Sequence, residues 1–154
     1  SNYLAAHPLP EGSRPYAVVN LDMISRNAMD KESNRDVVMA SFTARAGFFM
    51  ELLPELAKPL GVDVRRIPYL RPPGRSDDSP FSELGIPAVM LFTGAHKDYH
   101  APGDRAELID PAKGVRIARF AAAIVRRLAE RRDPLPWDAA LEKAPPADPW
   151  DKPY

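Results

Sequence analysis

The sequence predicts an α/β fold, an αβα sandwich in which helices cover a mixed β-sheet. Short apolar runs rich in β-branched residues alternate along the chain with segments of helical periodicity, as expected for such layers. One run, residues 87–92, is apolar throughout and is therefore expected to form a central strand. No internal repeat is found.

Four segments are predicted as strands. The first, residues 16–24 (YAVVNLDMI), is a continuous apolar run interrupted only by Asn20 and Asp22. Its length and its β-branched content are typical of a buried strand. The other three predicted strands are 36–42, 62–67 and 87–92.

Helices are predicted where apolar residues recur at a spacing of 3.6. Residues 46–60 follow this spacing, and Gly61 stands where a helix C-terminus favours glycine. Shorter helices are expected at 3–7 and 80–84. The last helix begins at Pro111, with Asp110 as its N-cap. Its predicted buried stripe consists of Ile117, Ala121, Ile124, Val125 and Leu128.

Proline usage divides the chain. The sequence contains 18 prolines among 154 residues, well above the average of about 5%. Those in 133–154 are incompatible with regular structure over most of that stretch. We therefore expect a folded domain at 1–132 and a proline-rich tail at 133–154, with Trp137 and Trp150 as its surface anchors.

Composition excludes several functional classes. Lysine plus arginine equals aspartate plus glutamate at 21 each, so no net field attracts nucleic acid or an anionic membrane. The absence of cysteine excludes disulfides, zinc–thiolate sites and cysteine nucleophiles. No apolar run approaches the ~20 residues of a transmembrane helix. The first residues lack both an initiator methionine and a signal peptide, so we expect a piece of a longer chain.

Asp22 is the first residue out of character with its surroundings. A carboxylate near the end of a buried strand loses solvation free energy unless it is paired. A metal ion, an arginine or backbone donors would compensate, and so would a turn in which Asp22 bonds to its own backbone. The residue alone leaves these readings open.

The loop after the predicted central strand concentrates polar chemistry. Residues 96–104 contain two of the three histidines together with a tyrosine and two aspartates: His96, Asp98, Tyr99, His100 and Asp104. A cluster placed beyond a central strand is typical of an active-site loop. Imidazole is a common zinc ligand, and a nearby carboxylate can fix its tautomer. By residue type alone, a hydrogen-bonded loop histidine is an equal interpretation.

A third polar segment precedes the central strand. Asp77 and Asp78 stand just before the predicted helix 80–84. They could support a metal site without binding the metal themselves. Capping of the short helix is the better interpretation for Asp78 and an equal one for Asp77.

Taken in order, these segments resemble the zinc aminopeptidase family that includes bacterial leucyl aminopeptidases, aminopeptidase Y and the glutamate carboxypeptidase relatives. The matching strings are YLAAHP at 3–8, NLDMI at 20–24, SD at 76–77 with PF at 80–81, GIPAV at 85–89 and YHAPGD at 99–104. The resemblance extends from residue 1 to about 130. It implies a zinc-exopeptidase-like domain of which this chain is the C-terminal half.

The resemblance also implies residue roles. Two zinc ions are expected per complete domain, with Asp22 a ligand of one and His100 a ligand of the other. Tyr99 matches a tyrosine that helps to stabilise the oxyanion, and Asp77 and Asp104 are expected to support the site. In such enzymes the remaining histidine, the bridging aspartate and a Glu–Glu pair that includes the general base come from further upstream. Because a catalytic zinc typically needs three protein ligands, we expect the isolated chain to bind little zinc and to hydrolyse nothing.

The implied activity is the metal-dependent hydrolysis of N-terminal bonds of a peptide substrate, in a parent protein that is secreted or periplasmic. Two alternatives share the fold. A glutaminyl-cyclase-like acyltransferase typically has tryptophan where this chain has Tyr99, and a non-catalytic binding module tends to lose ligands such as Asp22 and His100. Two departures from the family pattern are Ser25, commonly glycine, and Asp78, commonly histidine. An exposed sheet edge is expected to bind the missing half or to cause self-association.

Overall fold

The structure is a computed structural model and describes residues 1–7, 13–69 and 76–138. Four strands and four α-helices lie in these described ranges. In chain order they are α1 (Asn2–Ala6), β1 (Val18–Asp22), β2 (Val37–Thr43), α2 (Phe49–Ala57), β3 (Asp63–Tyr69), α3 (Ser79–Glu83), β4 (Ala88–Phe92) and α4 (Pro111–Ala129). A 3-10 turn at Lys58–Leu60 extends α2 up to Gly61, whose φ of 64° confirms the predicted helix end.

The strands form one mixed sheet in the order β1-β4-β2-β3. β1 is parallel to β4, β4 is antiparallel to β2, and β2 is parallel to β3. The predicted central position of the apolar run 87–92 is confirmed, because β4 lies between two neighbours. Within the described part of the chain, β1 and β3 are the edge strands.

Helices cover both faces of this sheet. Val19 of β1 packs against the larger core, which also contains side chains of α2 and α4. Its neighbour Val18 packs against a smaller cluster formed by Ala5, Phe81 and Ile86. Because consecutive strand residues point to opposite faces, the two clusters lie on opposite sides of the sheet. The αβα sandwich predicted from the sequence is confirmed.

Helix α4 begins as predicted and buries a slightly different stripe. The Asp110 carboxylate accepts a hydrogen bond from the Lys113 amide at 2.9 Å, which makes it the N-cap. The expected burial of Val125 is wrong, since that side chain is 50% exposed, whereas Phe120 is fully buried. Val125 follows the buried Ile124 by one residue, which turns it about 100° away from the core.

The strand predicted at 16–24 forms at Val18–Asp22, but its predicted burial is wrong. Leu21 is 42% exposed and Asp22 is exposed, because β1 has a described neighbour on one side only. Water therefore solvates the Asp22 carboxylate here, and the desolvation argument does not apply. The opposite edge strand differs, because β3 carries Arg65, Arg66 and Pro68, residue types that discourage further pairing. β1 carries a single charged residue, Asp22 at its last position, and no proline.

The beginning of the predicted tail packs against the domain. Leu135 and Trp137 contact the larger core, as expected for Trp137. The Tyr16 hydroxyl donates to the Asp133 carbonyl at 2.9 Å. Trp150 lies outside the described residues, and the division at residue 133 stays a prediction. None of the described helices has both the length and the apolar character needed to cross a bilayer.

Candidate active site

The two candidate metal ligands leave the sheet from neighbouring strand ends. β1 and β4 run in parallel, and Asp22, the last residue of β1, is in register with Phe92, the last residue of β4. The loop that carries Tyr99 and His100 follows Phe92 directly. Parallel strands end at the same edge of a sheet, which is where α/β proteins bind ligands.

The segments that follow these two strands are packed together. The Thr93 hydroxyl donates to the carbonyl of Met23 at 2.5 Å and to that of Arg26 at 2.7 Å. Gly94 has a φ of 99°, and a Cβ atom there would overlap Ala28. The loop after β1 and the loop after β4 therefore form one unit.

Arg26 lies at the centre of this unit and was missed by the sequence analysis. It is 8% exposed and donates to Asp30 at 2.6 Å, to Asp98 at 3.0 Å and to Asp104 at 3.1 Å. The Arg26 guanidinium holds the pKa of Asp30 below its ordinary value, mainly through their hydrogen bond. In the sequence, the only indication of this role was that Arg26 follows Asp22 by four residues and that the later loop contains two aspartates.

Asp104, whose supporting role stays a prediction, contacts two side chains of this unit. Besides Arg26, its carboxylate lies 3.8 Å from Nε2 of His96. The His96 side chain is almost fully buried, and its Nδ1 has no hydrogen-bond partner among the described residues. His96 therefore belongs to the interior of the loop, whereas His100 lies at its surface.

Tyr99 and His100 are presented to solvent side by side. Their rings stack with centroids 4.0 Å apart, and Tyr99 is 46% exposed. His100 has a φ of 55°, and Met23, which follows Asp22, has a φ of 52°. A left-handed conformation in a non-glycine residue costs about 1–3 kcal/mol, and such strain clusters at functional sites. Both candidate ligands therefore stand at or beside a strained position.

Asp77 lies in the same hollow as Asp22. This hollow has a volume of about 600 Å³, and its polar lining includes Asn20, Ser76 and Glu83. Asn20 donates to the Ser76 hydroxyl at 2.9 Å, which joins β1 to the segment before α3. The supporting role of Asp77 stays a prediction.

The interpretation of Asp78 as a helix cap is wrong. Its side chain makes no capping hydrogen bond and is 1% exposed. The carboxylate instead accepts hydrogen bonds from the Tyr69 hydroxyl, at 2.7 Å, and from the Ser76 hydroxyl. Burial is the main cause that raises the pKa of Tyr69, so this phenol stays protonated. Asp78 thus anchors α3 beneath the hollow.

Two of the candidate side chains are of types that bind zinc. The Asp22 carboxylate and the His100 imidazole are both donors that zinc accepts. Within the described ranges, however, no group of three or more histidine, cysteine or acidic residues is placed to hold a metal ion. The donor types fit zinc, and their number does not suffice for a catalytic site, which needs three protein ligands per metal.

Comparisons with known proteins agree with this fold. The model of peptidase family M28 matches residues 1–125. The chain is similar to the LapA aminopeptidase of Legionella pneumophila, with a TM-score of 0.68 and 21% identity over 86% of this chain and 36% of that one. It is also similar to BSAP, a zinc aminopeptidase from Bacillus subtilis, with a TM-score of 0.61 and 18% identity over 90% of this chain and 34% of that one. A search of curated proteins found no match.

At sequence identities of 21% and 18%, the similarity to these two solved structures establishes a shared fold. The chain spans about a third of the length of each structure.

Proposed function

Because this chain belongs to peptidase family M28, we propose that it forms part of a two-zinc aminopeptidase domain and supplies one unshared ligand to each metal. Asp22 binds one zinc ion and His100 binds the other. The observation that carries the proposal is the parallel pairing of β1 with β4, in which Asp22 is in register with Phe92, the residue immediately before the His100 loop. The aminopeptidases named among the similar structures support the same activity.

The metals would lower the pKa of a bound water toward about 7 and polarise the scissile carbonyl. This chain contributes Tyr99, whose exposed phenol adjoins His100 and donates to the oxygen that becomes negative during attack. Loss of one such donor costs about 10²–10³ in rate. Asp104 and Asp77 act as supporting residues that do not touch the metals.

The remaining ligands and the general base come from other parts of the parent protein. The described residues lack a complete metal-binding group, and the isolated chain accordingly hydrolyses nothing. The edge at β1 is the place where further strands join. Beside it lies a hollow of about 650 Å³ in which apolar side chains, including Leu4, Val19 and Phe81, line the wall together with polar ones. In the isolated chain the same edge favours self-association.

Zinc titration of the complete protein, followed by hydrolysis of leucyl-p-nitroanilide, tests the proposal. Asp22→Ala and His100→Ala each remove one of two bound zinc ions. Activity falls by more than about 100-fold. Loss of a residue that only supports a metal ligand costs at most about 100-fold, so a larger loss indicates a ligand.

Two matched controls keep both zinc ions and full activity. His7→Ala removes an exposed histidine that is likewise stacked on a tyrosine, with centroids 4.4 Å apart. Asp63→Ala removes an exposed aspartate from the opposite edge strand. Two zinc ions with undiminished turnover in the Asp22→Ala and His100→Ala variants would refute the ligand assignment. A single zinc ion with cyclisation of N-terminal glutamine would favour the acyltransferase instead.

A further inference from the structure

One buried guanidinium joins the two loops that carry the proposed ligands. Nη2 of Arg26 donates to Asp30 at 2.6 Å and to Asp98 at 3.0 Å, and Nη1 donates to Asp104 at 3.1 Å. Asp30 belongs to the loop after β1, whereas Asp98 and Asp104 belong to the loop after β4. The ion pairs of Arg26 therefore connect the loop after β1 to the loop after β4.

The placement of the two partners on the second loop is specific. Asp98 immediately precedes Tyr99, and Asp104 follows His100 by four residues. The Arg26 carbonyl also accepts a hydrogen bond from Thr93, the residue after β4, at 2.7 Å. Arg26 thus holds the beginning of this loop through its backbone and both flanks of the Tyr99–His100 pair through its side chain.

The same unit contains the four described non-glycine residues with a positive φ: Met23, Met29, Asp30 and His100. Met23 and His100, with φ of 52° and 55°, persist in the left-handed region only if their surroundings hold them there. Met23 receives two hydrogen bonds from Thr93, through the amide at 3.3 Å and the hydroxyl at 2.5 Å. On the loop that carries His100, the ion pairs of Arg26 with Asp98 and Asp104 supply the corresponding restraint.

We propose that Arg26 is a positioning residue, whose guanidinium sets the location of Tyr99 and His100 relative to Asp22. The catalytic consequence rests on the proposed function, whereas the loop geometry that Arg26 sets does not. Charge alone is insufficient for this role. A lysine would keep the charge, but its ammonium is a single point and lacks the planar fork that reaches carboxylates in different directions.

This role is separable from overall folding. The large core lies between the sheet and helices α2 and α4 and does not include Arg26. The three carboxylates keep access to water, with side-chain exposures of 32% for Asp30, 19% for Asp98 and 44% for Asp104. Loss of the guanidinium therefore releases the loop while the sheet stays intact.

The first test measures amide hydrogen exchange in this chain without metal. The amides of Tyr99, Ala101 and Asp104 close turns within the loop, with bonds of 3.0, 2.9 and 3.0 Å. In Arg26→Gln and Arg26→Lys these amides exchange at least about 10-fold faster, a loss of roughly 1.4 kcal/mol of local protection. The amides of β4 exchange as in the unaltered chain.

Arg127→Gln is the matched control, since it removes a surface arginine paired with Glu55 at 2.8 Å and leaves the loop unchanged. Unaltered loop exchange in both Arg26 variants would overturn the proposal. Should Arg26→Gln fail to fold, the double variant Asp98→Ala/Asp104→Ala decides, because it removes both partners that Arg26 has on the second loop. Faster loop exchange in this double variant supports the role of Arg26, and unaltered exchange overturns it.

The second test uses the complete, zinc-loaded protein. Arg26→Lys lowers kcat by about 10–100-fold and weakens zinc binding over the same range. KM stays within about twofold, because Arg26 is only 8% exposed and offers substrate little surface. An unchanged kcat with unchanged zinc affinity contradicts the proposal. If the unaltered protein hydrolyses no peptide, the proposed function fails, and hydrogen exchange still decides the role of Arg26.

Discussion

Lys113 makes the stability of this chain depend on pH in an unusual direction. The side chain is fully buried, and its ammonium donates to the Asn27 side chain at 3.0 Å and to the Asn34 carbonyl at 2.9 Å. Burial is the main cause that lowers the pKa of Lys113 to about 8 from an ordinary value of 10.5. Asp110 opposes this lowering, whereas Arg116 adds to it.

The direction of this pH dependence is set by the number of protons that the folded and unfolded states bind. Between the two pKa values the unfolded chain keeps the Lys113 proton and the folded chain has lost it, so the free energy of unfolding rises with pH. Below about pH 8 the ammonium is charged in both states, and the full penalty applies. Since one pKa unit corresponds to about 1.4 kcal/mol, the free energy of unfolding contributed by Lys113 rises by about 2 kcal/mol between pH 8 and 10.

Urea denaturation at pH 7, 8, 9 and 10 measures this rise, with Lys113→Met as the reference. Methionine has a similar length and does not titrate, so the difference between the two stability curves isolates Lys113. The series stops at pH 10 because burial raises the pKa of Tyr69, and ionisation of unfolded tyrosine then lowers stability. Parallel curves for the two proteins between pH 8 and 10 would refute the reasoning.

Three further predictions concern packing and the exposed edge. A Cβ at Gly114 would lie 2.5 Å from the Ser25 hydroxyl oxygen, so Gly114→Ala displaces that side chain and loses part of the roughly 1 kcal/mol by which alanine is favoured over glycine in a helix. Ser25→Gly relieves this loss in a double-mutant cycle, and additive effects would contradict the contact. Phe120→Ala lowers the free energy of unfolding by about 3–5 kcal/mol, whereas Val125→Ala changes it by less than about 0.5 kcal/mol. Equal losses for the two variants in urea denaturation would contradict the buried face assigned to α4. Leu21→Lys on the edge strand reduces self-association in sedimentation velocity without lowering Tm, and an unchanged oligomer would exclude this edge.

Features that depend on local chemistry were predictable from the sequence. The start of α4 follows from Asp110 and Pro111, since a capping carboxylate and a proline at the first helical position act within one turn. The interior position of β4 follows from its unbroken apolar character, which no edge strand needs. In both cases the controlling interaction is local or is written directly in the composition of the segment.

Features that depend on distant partners were not predictable. The exposure of β1 depends on which strands lie beside it, and residues 16–24 alone read as a buried strand. Asp78 was expected to cap α3, but a tyrosine nine residues earlier, Tyr69, draws its carboxylate inward. Arg26 gained its importance only when Asp98 and Asp104, more than seventy residues away, were placed around it. The type of a residue and its neighbours in the sequence do not show which distant side chains will surround it.

A zinc-loaded crystal structure of the complete protein, with the metals located by anomalous scattering, would show directly whether Asp22 and His100 bind zinc. Two zinc ions about 3.5–4 Å apart are expected. An Asp22 oxygen would lie within about 2.2 Å of one ion and a His100 nitrogen within about 2.1 Å of the other. Metal bound away from the ends of β1 and β4, with Asp22 and His100 both unligated, would contradict the ligand assignment.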